Sequence, residues 1–244
     1  MYKLSLFIFF LVTINSNIII CYGQENSSKS NYNTLVSLFE EWRTFENPPK
    51  LNGTPNYTKE SFNKRHLNFN TLQTRLNQID IQEWPIQKQI DWHIVRAEMN
   101  GYDFNYRVLK PWKRDPAYYQ TIWMHESDVP AHEGPTNHAV LEFWQYEFPL
   151  SKKQKNKFIN ELKIISPFLD QARRNLTGNA RDLWIAGIEN LKQQVIDLDF
   201  IALKFNSNEE SIVLNEIDIS KKATEKFVKW LELTSHTKNG PSGM

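Results

Sequence analysis

The chain has 244 residues and a formal net charge of +1, from 29 basic and 28 acidic side chains. Hydrophobic residues make up 40% and charged residues 23% of the sequence, a globular composition that excludes a disordered or fibrous chain. No block of basic residues stands out, so the sequence shows no basic patch of the kind that binds nucleic acid. The length suffices for one sizeable domain or two small ones.

Residues 1–23 have the layout of a secretory signal peptide. Lys3 precedes an apolar run that ends at the small residue Gly23. An uncleaved anchor is the alternative, but polar residues 15–17 interrupt the run, so it would span a bilayer poorly. Cys21, the only cysteine, would leave with this segment. We therefore expect a secreted or periplasmic chain with no disulfide and, after cleavage, no membrane span.

Residues 24–33 are polar and predict a flexible lead-in, after which residues 34–235 form the predicted helical domain. Apolar residues at helical spacing from Leu35 to Phe45 predict a first helix, and those from Leu67 to Ile79 predict a second. No Asn-Gly or similar turn pair lies between two runs of alternating apolar and polar residues, the pattern that predicts a β-hairpin. The expected fold class is all-α, an antiparallel helical array with one long ordered aromatic loop.

A third helix opens after Trp84-Pro85 and carries two distinct faces. Its predicted apolar stripe consists of Ile86, Ile90, Ile94 and Ala97. A polar face of the same helix collects Arg96, Asn100, Asp103 and Arg107 at spacings that bring opposite charges together. An exposed ion ladder is one interpretation. A partly buried network beside a cleft is the other, and the aromatic residues nearby favour it, in a structural role rather than in direct substrate contact.

Residues 110–135 lack helical periodicity and predict a long ordered loop, because their many aromatic residues argue against disorder. The aromatic cluster of this region could stack on sugars or peptides, although an aromatic core explains it better. Its members are Trp112, Tyr118, Tyr119, Trp123 and Trp144.

Helical periodicity resumes near Thr136 or Asn137 and predicts a helix that runs to Phe148. Ser151 is the predicted cap of a long helix, and Asn179 that of the next one. Residues 206–210 are a predicted linker, residues 220–233 a last helix, and residues 236–244 a polar tail.

His132, Glu133 and His138 suggest a zinc site, but their spacing excludes a helical zincin motif. That motif needs two histidines four residues apart on one helix, whereas Gly134-Pro135 breaks the helix here. His138 and Glu142, four residues apart, could supply two ligands, yet a catalytic zinc needs three and a water. We therefore predict no metal, catalytic residue or cofactor in this chain. The candidate cleft or network residues are Arg96, Asp103, Arg107, Trp112, Tyr118, Tyr119, Trp123, Glu133, His138 and Glu142.

Long stretches of the sequence carry a family resemblance: RAEMNGYDFNYRVLKPWKRDPAYY, SDVPAHEGPT and LEFWQYEFPLS. Together with NARDLW from Asn179 and GPSG from Gly240, they resemble the family known as domain of unknown function 885. That family comprises exported helical proteins related to zinc metallopeptidases of the zincin type. The resemblance implies a helical array that forms one wall of a peptide-binding cleft.

Full-length relatives carry a His-Glu-x-x-His helix and further zinc ligands in their carboxy-terminal part. This sequence stops at Met244, just after GPSG, so we expect a truncated member to which no metal ligand carries over. We expect it to be inactive alone, with peptide as the partner of the complete protein. The alternative is a stand-alone exported binding or scaffolding protein that uses the aromatic loop 110–135.

Overall fold

The computed structural model describes residues 31–126, 140–206 and 210–243 of the chain. The described residues form α1 Tyr32–Glu46, α2 Lys59–Asn77, α3 Ile86–Phe104, α4 Pro111–Arg114, α5 Lys152–Asn175, α6 Arg181–Ala202 and α7 Ser211–Ser235. Four strands of two residues each are β1 Lys50–Leu51, β2 Thr54–Pro55, β3 Ile122–Trp123 and β4 Leu141–Glu142. The all-α fold class is confirmed. The predicted signal peptide lies outside the described residues.

Helices α1, α2 and α3 pack around a first hydrophobic core centred on Trp42, which is fully buried. Phe69 and Leu76 of α2 and Met99 of α3 are equally buried beside it. The Trp42 indole N–H donates a hydrogen bond of 3.2 Å to Glu98, so the ring is fixed by a polar contact as well as by packing.

The predicted apolar stripe of α3 is wrong, because the structure turns that stripe to the surface. Ile86 is 66% exposed, Ile90 51% and Ile94 52%. The face that packs on α1 and α2 instead carries Trp92, Val95 and Met99. Both faces are apolar at helical spacing, so the packing of α1 and α2 decides which of them is buried.

Helix α7 packs against both α5 and α6 around a second and larger core. It contains buried aromatic and aliphatic side chains such as Phe158, Phe168, Trp184 and Phe227. The last helix begins at Ser211, nine residues before the predicted start at 220, because Val213 and Ile217 extend the buried stripe towards the amino terminus.

Asn52 and Gly53 form the tight turn of a short hairpin that the sequence did not predict. Both have positive φ, 52° and 85°, and they connect the antiparallel strands β1 and β2. Asn-Gly is the pair that such a turn favours. The strands on either side are too short for an alternating pattern to be visible in the sequence.

The predicted helix from 136 to 148 is wrong in its described part. Residues 141–142 form β4, which pairs in parallel with β3, and residues 143–145 form a single 3₁₀ turn. The buried amide of Gln194 holds the neighbouring segment, since its Oε1 accepts from the backbone N–H and the hydroxyl of Thr121. This fixed edge gives Leu141 a backbone partner in the carbonyl of Thr121, so pairing replaces the helix.

The carboxy-terminal tail caps helix α6 in place of the predicted Asn179. Ser242 Oγ accepts hydrogen bonds of 2.8 Å and 3.4 Å from the backbone N–H groups of Asp182 and Leu183. The side-chain oxygen of Asn179 instead accepts a hydrogen bond from the backbone N–H of Asn239. The tail therefore satisfies the helix donors that an N-cap side chain ordinarily satisfies.

Candidate functional site

A cleft of about 410 Å³ lies where the start of α2, the chain between α3 and α4, and the end of α5 meet. We call it the basic aromatic cleft. Four aromatic residues line it, Tyr57, Phe62, Tyr106 and Trp112, together with the neutral polar residues Asn63, Asn175 and Thr177. The remaining lining residues are all cationic: Lys59, Arg107, Lys110, Lys113 and Arg174.

The floor of the basic aromatic cleft is a stack of rings. Trp112 lies face to face with Phe62, with ring centroids 3.8 Å apart and an interplanar angle of 19°. Tyr106 stacks on Trp112 at 5.9 Å and Tyr57 on Phe62 at 5.7 Å. Trp112, Phe62 and Tyr57 are nearly fully buried, so packing fixes the positions of these rings at the cleft.

Helix α5 holds the Tyr57 side of the cleft through two amide side chains, the buried Gln171 and the half-buried Asn175. Gln171 accepts from the Tyr57 backbone N–H at 2.6 Å and donates to the carbonyl of Pro55 at 2.9 Å. Asn175 Nδ2 donates to the Tyr57 carbonyl and to the Tyr119 hydroxyl, both at 2.9 Å. These contacts fix a segment before α2 that has no helix of its own, so the cleft wall is preorganised.

The opposite side of the cleft is built from irregular backbone. Residues Asn105–Leu109 form a π-helical turn after α3, and Lys110 follows with left-handed φ and ψ of 48° and 52°. Its backbone N–H closes the turn on the carbonyl of Asn105 at 2.8 Å. Single π turns and left-handed non-glycine residues are both costly and are concentrated at functional sites. Here the two features together bring Arg107, Lys110 and Trp112 to one cleft.

The loop after α5 packs closely on α4 and completes the rim. Gly178 donates its backbone N–H to the carbonyl of Lys113 at 2.7 Å. A Cβ atom at Gly178 would lie 2.8 Å from that oxygen, so only glycine permits this approach. The contact brings the end of α5, with Arg174 and Thr177, next to Lys113.

The charged side chains that line the cleft are all positive. Arg107 pairs with Asp103, whose carboxylate accepts from Nε at 2.8 Å. Within the described part of the chain, the other four cationic lining residues have no carboxylate partner. Since the whole chain is close to neutral, this cluster is a local excess of positive charge. A cleft with apolar walls strengthens the field of such a cluster relative to an open surface.

A small recess of about 30 Å³ adjoins the cleft and shares its rings Phe62, Tyr106 and Trp112. Arg65 lies beside it and donates to the carbonyls of Phe45 and Glu46 at 2.7 Å and 3.0 Å, which secures the end of α1. Burial raises the pKa of Tyr102, also in this recess, to about 12. The recess has room for about one water molecule.

Five of the predicted site residues lie in the basic aromatic cleft or next to it. Arg107 and Trp112 line it, and Asp103 holds Arg107. Arg107 has 60% of its side chain exposed, so this pair is a surface contact that contributes little to stability. Tyr118 borders the recess, and Tyr119 supports the floor from behind by donating its hydroxyl to the Trp112 carbonyl at 2.8 Å.

The other predicted site residues are not part of this cleft. Arg96 is exposed on α3, with its guanidinium 5.4 Å from the Trp92 ring centroid. Trp123 lies in β3 and Glu142 in β4, where Glu142 accepts a hydrogen bond from Gln145. Glu133 and His138 lie outside the described residues.

Sequence reasoning missed most of the charged residues of this cleft: Lys59, Lys110, Lys113 and Arg174. They come from three separate stretches of the chain, so no local motif connects them. The one sequence signal was the cluster of basic and aromatic residues around Lys110-Pro111-Trp112.

Among residues 31–126, 140–206 and 210–243, no three His, Cys, Asp or Glu side chains are grouped so that they could hold a metal ion. Nor is any described helix both long and apolar enough to cross a membrane.

Comparisons with known protein families, with curated proteins and with solved structures give no match for this chain. The family resemblance of the sequence therefore stays a prediction.

Proposed function

We propose that this chain is the amino-terminal helical portion of an exported metallopeptidase-like protein and that its basic aromatic cleft is one wall of a peptide-binding site. On this proposal, zinc and a glutamate base that act on the peptide bond lie outside this chain. The chain itself binds peptide without cleaving it.

The observation that supports this proposal most strongly is the composition of the cleft. An apolar floor of stacked rings lies next to cationic and amide side chains, and a peptide offers matching apolar, carbonyl and carboxylate groups. The cleft volume of about 410 Å³ is in the range of small-ligand sites, which suits a few peptide residues rather than a folded partner.

A stand-alone exported binding or scaffolding protein is the second candidate function. It is favoured by the position of Lys110, Trp112 and Lys113, which belong to the predicted aromatic loop 110–135 and line the cleft. The two candidates share the ligand and differ in whether a catalytic segment completes the site. A genomic reading frame that continues beyond Met244 into a His-Glu-x-x-His helix favours the first, and a stop codon favours the second.

Calorimetric titration with unlabelled short peptides, with and without zinc, tests the proposal. We expect saturable binding and no hydrolysis products. A Thr177→Trp substitution adds a large ring at an exposed position of the cleft, so it should abolish binding. The matched control is Thr74→Trp, at an exposed position of α2 outside the cleft, which should bind as the unmodified chain does.

Peptide turnover by the isolated chain in the presence of zinc would contradict the absence of catalytic machinery. Failure of every peptide to bind, or equal binding by the Thr177→Trp variant, would contradict the peptide-binding proposal.

A further inference from the structure

The basic aromatic cleft contains more positive charge than the described residues of the chain neutralise. Lys59, Lys110, Lys113 and Arg174 line it without a carboxylate partner in the described part of the chain. Among the described residues, none that lines the cleft is acidic. The nearby carboxylates already have cationic partners: Asp103 accepts from Arg107 Nε, and Glu46 of the adjoining recess accepts from Arg43 at 2.7 Å.

From this imbalance we infer that the cleft selects acidic peptides, with two or more carboxylates flanking an apolar or aromatic residue. This inference rests on the proposed peptide-binding function and names its substrate class. The cations that line the cleft are more exposed than most of its rings, so carboxylates and an apolar side chain can be bound at the same time.

The backbone at Lys110 is a second observation that points to charge at this position. Left-handed backbone after a helix ordinarily carries glycine or asparagine, which adopt it at low cost. Lysine occupies it here, with φ of 48°. The strained position carries a long cationic side chain at the cleft, which is the pattern of a residue that serves binding rather than folding.

A peptide is the ligand that fits these groups better than a nucleic acid does. Nucleic acid affinity depends on many phosphate contacts along an extended basic surface. The cations here are confined to one cleft of limited volume in a chain with a net charge of +1. Free carboxylates in a peptide need only two or three such groups, each through a charge-assisted hydrogen bond.

A matched pair of peptides tests the inference by calorimetric titration of the full chain. The first is acetyl-Glu-Ala-Phe-Ala-Glu-amide, and the second has glutamine in place of both glutamates. We expect the glutamate peptide to bind about tenfold more tightly or better, since each charge-assisted contact contributes strongly in such a site. Added salt should reduce this difference.

Charge-removing variants locate the effect. Lys113→Gln and Arg174→Gln should each weaken binding of the glutamate peptide about threefold or more and leave the glutamine peptide nearly unchanged. Lys229→Gln, at an exposed position of α7 remote from the cleft, is the matched control and should change neither affinity. Circular dichroism melting curves should show that all three variants fold.

Two results would overturn the inference in distinguishable ways. Equal affinity for the two peptides would remove the acidic preference but leave the peptide-binding function in place. An oligothymidylate that binds more tightly than the glutamate peptide, with the same loss in Lys113→Gln, would replace the peptide by a nucleic acid. Binding of neither peptide would instead contradict the proposed function itself.

Discussion

The indole of Trp112 and the ring of Phe62 are stacked with their centroids 3.8 Å apart, and this contact joins the short helix α4 to the long helix α2. Both rings are nearly fully buried, and both line the basic aromatic cleft. One pair of side chains thus serves the packing of the molecule and the floor of its candidate site.

Trp112→Ala should destabilise the chain by about 3–5 kcal/mol, because it removes a large buried ring and leaves a cavity beside Phe62. Urea denaturation measures the change in the free energy of unfolding. Trp144→Ala is the control, since Trp144 is 40% exposed, and it should cost less than about 1 kcal/mol. Equal losses from the two substitutions would show that the Trp112 stack is not part of the core.

Lys110→Gly should raise the free energy of unfolding by about 0.5 kcal/mol. Glycine removes the cost of a left-handed backbone at a residue with a side chain, but it loses more backbone entropy on folding, which offsets part of that gain. It should also weaken binding of the glutamate peptide, because the cationic side chain is gone. Lys110→Gln is its matched partner, with the same loss of charge but the strained backbone retained. It should weaken binding equally without the gain in stability. Binding by Lys110→Gly as tight as that of the unmodified chain would show that Lys110 does not contact the ligand.

Much of the helical array could be predicted because buried residues at helical spacing mark α1, α5 and α6 directly. Which of the two apolar faces of α3 is buried could not be predicted. The face with Ile90 and the face with Met99 both show apolar residues at helical spacing, and only the neighbouring helices decide which of them is buried. The start of α6 was misassigned because its cap, Ser242, comes from the far end of the chain.

The candidate site was predictable only where its residues are close in sequence. Arg107 and Trp112 were identified because they lie in one short stretch of charged and aromatic residues. Lys59 and Arg174 were not, because they reach the same cleft through the packing of α2 and α5, which leaves no local pattern.

Ser242→Ala should destabilise the chain by about 1 kcal/mol, the usual effect of losing a helix cap. The lost acceptor leaves the backbone N–H groups of Asp182 and Leu183 without their protein partner. Hydrogen exchange measures this locally, and the amides of the first turn of α6 should exchange faster. Ser235→Ala, at the last residue of α7, is the control and should leave the exchange of these amides unchanged. Unchanged exchange in Ser242→Ala would mean that the tail does not cap the helix in solution.

Asp115 should make stability depend on pH in the direction opposite to that of an ordinary ion-paired carboxylate. Burial raises its pKa, although the backbone N–H of Ala117 and nearby Arg114 oppose the shift. The folded state therefore favours the protonated acid. The carboxylate costs stability at a pH above its folded pKa, and this cost disappears as the pH falls below the unfolded value.

Asp115→Asn keeps an oxygen acceptor for Ala117 and removes the buried charge, so it should stabilise the chain at pH 7 by up to about 1 kcal/mol. The gain should vanish in acid, near pH 3, where Asp115 is protonated in both states. Urea denaturation of both chains at the two pH values measures this. A gain of the same size at both pH values, or a loss at pH 7, would contradict the assignment.

Amide chemical shifts recorded by NMR during titration with the glutamate peptide show directly where the peptide binds. We expect saturable changes confined to residues 57–63, 105–113 and 174–178, which surround the basic aromatic cleft. Saturable changes centred instead on the exposed stripe of Ile86, Ile90 and Ile94, or no changes at all, would contradict this expectation.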